Sequence, residues 1–161
     1  MILGITGHRP HKIGAEETPL RNWVRAEIYG ALLHLRPTKA ISGMAVGIDQ
    51  DFAVMCTRLD IPFVAAVPFE GQERRWPPSA QVHYRGLLSR ATDVVYVSDP
   101  GYAHWKMDVR NAWIVDHCTH LLAVFDGTPG GTANTFNYAT RVGREISRID
   151  PSQAVTRAVR E

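Results

Sequence analysis

Lysine and cysteine are scarce in this chain, and long apolar runs are missing. Three lysines stand against 15 arginines, and 18 basic against 16 acidic side chains leave a formal net charge of +2 over 161 residues. That is far below the basic footprint of a dedicated DNA-binding domain, whereas the preference for arginine suits a small anion held by planar, bidentate donors. The two cysteines, Cys56 and Cys118, each sit in an apolar run. They rule out a disulfide framework and read as buried free thiols in a reducing cytosol. No stretch approaches a membrane span, and the opening Met1-Ile2-Leu3-Gly4-Ile5-Thr6 carries neither a basic leader nor a small-residue cleavage site. A soluble cytoplasmic protein is expected. There is no Gly-x-Gly-x-x-Gly after the first apolar run and no Gly-Lys-Ser/Thr, which argues against a standard dinucleotide oxidoreductase and a P-loop ATPase. His8-x-x-His11 and His117-x-x-His120 lack a neighbouring cysteine or third ligand, so neither a metal nor a cofactor is expected.

What is present is a core-forming pattern. At 45% hydrophobic residues the chain can bury roughly 70% of its unfolded surface, and no linker, repeat or low-complexity stretch divides it, so one domain over residues 1–161 is expected. Five short β-rich runs read as buried strands: Ile2 to Thr6, Lys39 to Ser42, Pro62 to Val67, Val94 to Val97 and Leu121 to Phe125. A sixth is suggested near Glu145 to Ile149. Between them lie stripes of helical period. Leu20, Trp23, Val24, Ile28, Ala31, Leu32 and Leu35 follow Thr18-Pro19 as cap and first turn, and stop before Pro37. Ile48 to Leu59, Met107 to Cys118 and Ala133 to Ala139 give further stripes, Ser79 to Arg90 a weaker one, and Asp150-Pro151-Ser152 opens a candidate C-terminal helix with Ala154, Val155, Ala158 and Val159 on one face. Alternating strands and helices predict an α/β fold in three layers around a mainly parallel sheet of five to seven strands.

The connections are unequal. Those entering strands are short and plain, as in Arg36-Pro37-Thr38, Asp60-Ile61 and Ala91-Thr92-Asp93. Those leaving strands are longer and glycine-rich: Gly7 to Pro10, Ser42 to Gly47, Pro68 to Trp76, Ser98 to Tyr102 and Asp126 to Thr132. In a parallel sheet these five share the carboxyl edge, where open α/β sheets bind ligands. Two of them, Ser42 to Asp49 and Gly130 to Thr135, run straight into helices. Exposed N–H groups and close glycine backbone make both candidate phosphate or ribose cradles, or simply tight turns.

Taken in order, Ile5-Thr6-Gly7-His8-Arg9-Pro10, Ser42-Gly43-Met44-Ala45-Val46-Gly47-Ile48-Asp49, Arg110-Asn111, and Asp126-Gly127 with Gly130-Gly131-Thr132 resemble the SLOG superfamily. That superfamily comprises Rossmann-like nucleotide-binding domains, among them DNA-processing (DprA/Smf) proteins and LOG-type nucleoside-monophosphate phosphoribohydrolases. The motifs are most similar to the YpsA-like group, common in bacteria and their phages. The resemblance implies a Rossmann-like fold, a nucleotide or nucleotide-derived ligand, and a homodimer. It also implies that Ser42, Gly43, Gly47 and Asp49, the pair Arg110 and Asn111, and Gly130, Gly131 and Thr132 form the pocket. The residues themselves add Gly7, His8 and Arg9 for a phosphate, Met44, Pro68 and Asp126 on the same edge, Phe69 or Trp76 for a base, and Asp49 for a ribose hydroxyl. Trp76 could equally anchor its own loop.

Three functions compete. A ligand-binding module would sense, sequester or process a nucleotide. A LOG-like N-glycosidase would need a catalytic carboxylate. Its family pattern, Pro-Gly-Gly-x-Gly-Thr-x-x-Glu, reads Pro129-Gly130-Gly131-Thr132-Ala133-Asn134-Thr135-Phe136-Asn137 here, so an amide stands where the carboxylate would be. Glu70 and Asp49 are the remaining catalytic candidates. A DprA-like binder of single-stranded DNA is the third reading, which the modest charge disfavours.

Overall fold

The computed structural model describes residues 1–14 and 17–154. Twelve elements follow in order: β1 (Ile2–Gly7), α1 (Pro10–Ile13), α2 (Pro19–Leu35), β2 (Lys39–Ser42), α3 (Ile48–Arg58), β3 (Phe63–Val67), α4 (Pro78–Leu88), β4 (Asp93–Tyr96), α5 (Trp105–His117), β5 (His120–Val124), α6 (Gly131–Arg141) and β6 (Glu145–Ile149). Each expected strand is present within a residue or two of its expected bounds, and the weaker stripe is a full helix, α4. The single turn α1 falls where the sequence predicts a loop, because Pro10 places an N-terminal helical position inside a turn-like sequence. Of the candidate C-terminal helix, everything after Ala154 lies outside the described residues.

All five strand pairings are parallel, in the order β4-β3-β2-β1-β5-β6. Alternation along each strand divides the core. Leu3, Ile5, Phe63, Ala65, Leu122 and Val124 pack under α2, α3 and α4, while Ile41, Val64, Ala66 and Leu121 pack under α5 and α6. Gly4 faces α5 so closely that a Cβ there would stand 2.8 Å from Ile114 Cγ2. The helix α2 begins as its sequence predicts: the Thr18 hydroxyl accepts the Arg21 amide, and Pro19 takes the first helical position.

One expectation is corrected. The run Val94 to Val97 was read as a buried strand, but β4 is a sheet edge whose residues are all partly or fully exposed. Its apolar run resembles those of the central strands because Val94 and Val95 pack against the two opposite core clusters, while the missing neighbour strand leaves them partly exposed. Both thiols are buried and free, and burial pushes the Cys56 thiol up to about 12.

Strand order sets the site. From β1 the chain steps through β2 and β3 to β4, then returns to place β5 on the other side of β1. The connections leaving β1 and β5 therefore diverge to opposite faces, and a crevice opens between them at the carboxyl edge.

Candidate functional site

A cleft of about 870 Å³ occupies that edge. Gly7, His8 and Arg9 from the β1 loop line it, with Asp49 on α3, Phe69, Glu70 and Trp76 from the β3 loop, Arg110 and Asn111 on α5, and Gly130, Gly131 and Thr132 at the start of α6. Six expected site residues do not reach the cleft surface: Ser42, Gly43, Met44, Gly47, Pro68 and Asp126. Five lie behind the wall, and Asp126 stands beside it.

The Ser42–Gly47 turn is occupied by its own side chains. Buried Ser42 donates its hydroxyl to the Asp49 carbonyl at 2.8 Å and accepts the Met44 amide at 3.2 Å. Gln50 donates to the Met44 carbonyl, which fixes Met44 in the left-handed region at φ 62°, a costly conformation for a branchless but bulky side chain. Arg110, 3% exposed, donates to the Gly43 carbonyl at 2.5 Å and to Asn111 Oδ1 at 2.8 Å. A Cβ on Gly43 would lie 2.6 Å from the Arg110 guanidinium. Gly43 is glycine so that Arg110 can pack against it, and Arg110 is a structural clamp as well as part of the cleft wall.

Asp49 faces the cleft with one oxygen accepting the Ala45 amide at 3.2 Å. Burial raises its pKa, while Arg110, the Ala45 N–H and Arg9 pull it back. Burial also lowers the pKa of Arg110, opposed chiefly by Asp49, though a guanidinium remains charged at neutral pH. The two groups compensate each other across the back of the cleft.

The second glycine turn is open. Gly130 and Gly131 are exposed, Gly130 has φ 144°, and no side chain caps the N-terminus of α6. Lys12, which no sequence motif singles out, donates to Thr128 Oγ1 at 2.8 Å and to the Pro129 carbonyl at 2.9 Å, so its ammonium sits beside this turn. The local signal for Lys12 was faint: one of three lysines, in a turn read as loop.

His8 is 3% exposed and is committed to the loop rather than to solvent. Its Nε2 lies 2.9 Å from the Asp126 amide nitrogen and 2.8 Å from Asp126 Oδ1. A proton on Nε2 serves the carboxylate; a bare Nε2 serves the amide. Burial lowers the His8 pKa, more than neighbouring Asp126 raises it, with Lys12 lowering it further. Burial pushes the Asp126 carboxyl up, but the Thr128 hydroxyl and amide and then His8 outweigh it and hold the group at about 2. His8, expected at a phosphate, and Asp126, expected on the same edge, bond to each other as a strap joining the β1 and β5 loops, and Arg9 beside them is exposed.

At the other end, Phe69 meets Tyr102 edge-on at 6.1 Å, and Trp76 meets Tyr84 edge-on at 5.2 Å. Trp76 is both a loop anchor and part of the cleft wall. Asn137, the amide in place of the LOG carboxylate, is exposed on α6 and outside the wall. Among the described residues no three His, Cys, Asp or Glu side chains gather as a metal cage, and no helix is long and apolar enough to cross a membrane.

An all-parallel sheet with a cleft at its switch point is a Rossmann-like α/β fold. Residues 3–152 match the YspA SLOG family, and the chain belongs to that family. It is 31% identical over 130 residues, 69% of this chain and 75% of the relative, to the uncharacterized SPbeta prophage-derived protein YoqJ of Bacillus subtilis (strain 168). Its fold is similar to DNA processing protein A (DprA) of Streptococcus pneumoniae, with a TM-score of 0.67 at 18% identity over 98% of this chain. The chain spans only 55% of that protein. A second similar fold is the structural-genomics target TM1055, with a TM-score of 0.60 at 14% identity, covering 90% of this chain and 71% of that one.

Proposed function

We propose that this protein binds a nucleotide or nucleotide-derived ligand in the carboxyl-edge cleft, as a sensor, sequestering or processing module of a single cytoplasmic domain. One observation carries the reading: an open, uncapped glycine turn with Lys12 beside it shares its cleft with Arg9, a carboxylate, Asp49, and an aromatic wall. Phosphate suits the first, because N–H groups and cations converge on it. A ribose hydroxyl suits Asp49, whose second oxygen has no partner among the described residues. A base suits the Phe69, Tyr102 and Trp76 rings. Membership of the SLOG family and the DprA-like fold support a nucleotide-related or DprA-like role.

The test is a thermal-shift screen against nucleoside mono-, di- and triphosphates, cyclic nucleotides and dinucleotides, followed by analysis for released base. A ligand at a hundred times its dissociation constant stabilises by about 2.7 kcal/mol, which moves the midpoint by roughly 5–10 °C. A shift without product supports binding alone. The position of Asp49 in the cleft wall, with burial raising its pKa, favours one second reading, an N-glycosidase in which water adds to the sugar carbon as the C–N bond breaks, the departing base takes the Asp49 proton, and the proton lost by the water returns to Asp49. Free base supports that reading. No shift with any compound, together with binding of single-stranded DNA that weakens steeply with salt, replaces both with the DprA-like alternative.

A further inference from the structure

Among the described residues the cleft carries cations free of ion pairs at two ends, and between them the Asp49 carboxylate compensated by the buried Arg110 guanidinium. At one end stand Arg9 and Lys12, the latter pinned on Thr128 and Pro129. At the other stand Arg74 and Arg75 on the β3 loop. That loop is held in place: Gln81 donates to the Arg74 and Trp76 carbonyls, and Trp76 packs on Tyr84. Arg74 folds back on its own loop, its Nε 2.7 Å from where a Cβ on Gly71 would stand. None of these four cations forms an ion pair among the described residues, and Glu70, on the same loop as the arginines, bonds neither of them. Adjacent strands lie about 4.8 Å apart, so β3 is about 10 Å from β1 and about 14 Å from β5 across the sheet. The segments that carry the two cation pairs thus leave the sheet at separate strands, and Asp49, on the helix that follows β2, lies between them in strand order.

Resting on the nucleotide reading above, we propose that the cleft takes a phosphate–ribose–phosphate unit. One phosphoryl group lies at Lys12 and Arg9, the ribose lies against Asp49, and the second phosphoryl group lies at Arg74 and Arg75. A single phosphate satisfies one end only. A contiguous di- or triphosphate concentrates its charge at one end or runs it past the Asp49–Arg110 pair, which offers it no net positive charge. Two phosphoryl groups separated by a neutral, hydroxyl-bearing ring fit the order cation pair, charge-compensated Asp49–Arg110 pair, cation pair. The same unit occurs in a free nucleoside 3′,5′-bisphosphate and within a nucleic-acid strand.

The experiment is titration calorimetry with the 5′-monophosphate, 5′-diphosphate and 3′,5′-bisphosphate of each of the four ribonucleosides, and with a deoxythymidine 12-mer. The wild type, Lys12→Ala and Arg75→Ala are compared. For at least one base the bisphosphate is expected to bind about tenfold tighter than either 5′ compound. Arg75→Ala should remove that advantage and leave 5′-monophosphate affinity unchanged, whereas Lys12→Ala should weaken both. Tighter binding of the 12-mer than of every bisphosphate, with the same loss in Arg75→Ala, supports the unit and assigns it to a strand. A 5′-diphosphate that binds as tightly as the bisphosphate, or an Arg75→Ala loss shared equally by the monophosphate, overturns the proposal and leaves the nucleotide reading standing. No binding by any compound overturns both.

Discussion

Two turns of similar composition leave neighbouring parts of one sheet edge and enter helices, yet they are built for different ends. The Ser42–Gly47 turn after β2 is closed: Ser42, Gln50, Asp49 and Arg110 satisfy its backbone from within, and glycine at position 43 makes room for a guanidinium. The Asp126–Gly131 turn after β5 is exposed at its glycines, a Cβ on Gly131 would meet nothing within 4 Å, and the start of α6 lacks a side-chain cap. A glycine can therefore record a packing contact inside the protein or leave backbone available to something outside it. Composition does not separate the two; the partners do.

The comparison breaks most visibly at Arg110. Removing its side chain strands the buried Gly43 carbonyl and deprives Asp49 of its counter-charge, so Arg110→Ala should cost about 3 kcal/mol. Calorimetry should record a midpoint lower by about 6–12 °C, and an unchanged midpoint would return Arg110 to a purely ligand-facing role. Gly43→Val drives methyl groups into the same guanidinium and should cost about 2 kcal/mol by denaturant unfolding.

Acid should act on the two turns in opposite directions. Asp126 is held at about 2, below its unfolded value of 3.8, so it stabilises the fold above that value and the contribution disappears as pH falls from about 4 to 2. Partial exposure screens it to about 1 kcal/mol. His8, with its pKa lowered, adds in the same sense: stability is lost as pH falls below 6.5 and the unfolded state takes up the proton. Asp49 has its pKa raised, so its charged form burdens the fold and the burden is relieved on acidification. Against wild type, Asp126→Asn should be destabilised at neutral pH and match it near pH 2. Asp49→Asn should gain on wild type as pH rises above 3.8. Unfolding curves at several pH values decide this, and parallel behaviour of the two variants would refute it. The smallest expected effect is that of Gly131→Ala, under about 0.5 kcal/mol, because nothing surrounds the added methyl group. A large loss there would make the second turn structural as well.

Much of this was legible beforehand. The strands, the capped start of α2 and the placement of polar loops on one edge follow from patterns within a few residues, as Thr18-Pro19 illustrates. Lys12 was not legible, because its meaning lies in Thr128 and Pro129, 116 and 117 residues away. His8 was legible as a residue of the carboxyl edge but not as a strap, since Asp126 is 118 residues distant. The ion cluster of Arg21 and Arg25 on Asp51, which ties α2 to α3, was missed for the same reason: an arginine on an amphipathic helix reads as solvated until its partner is known.

By itself the sequence determined an α/β chain with its unusual residues gathered at the carboxyl edge, because hydrophobic period and turn chemistry are local properties. Tertiary structure alone decided that β5 returns beside β1, that β4 is an edge, and that one glycine turn is filled while the other stays open. Those outcomes depend on contacts such as Arg110 to Gly43, 67 residues apart. Such a contact exists only when both partners have been brought together, and neither residue's immediate neighbours encode it.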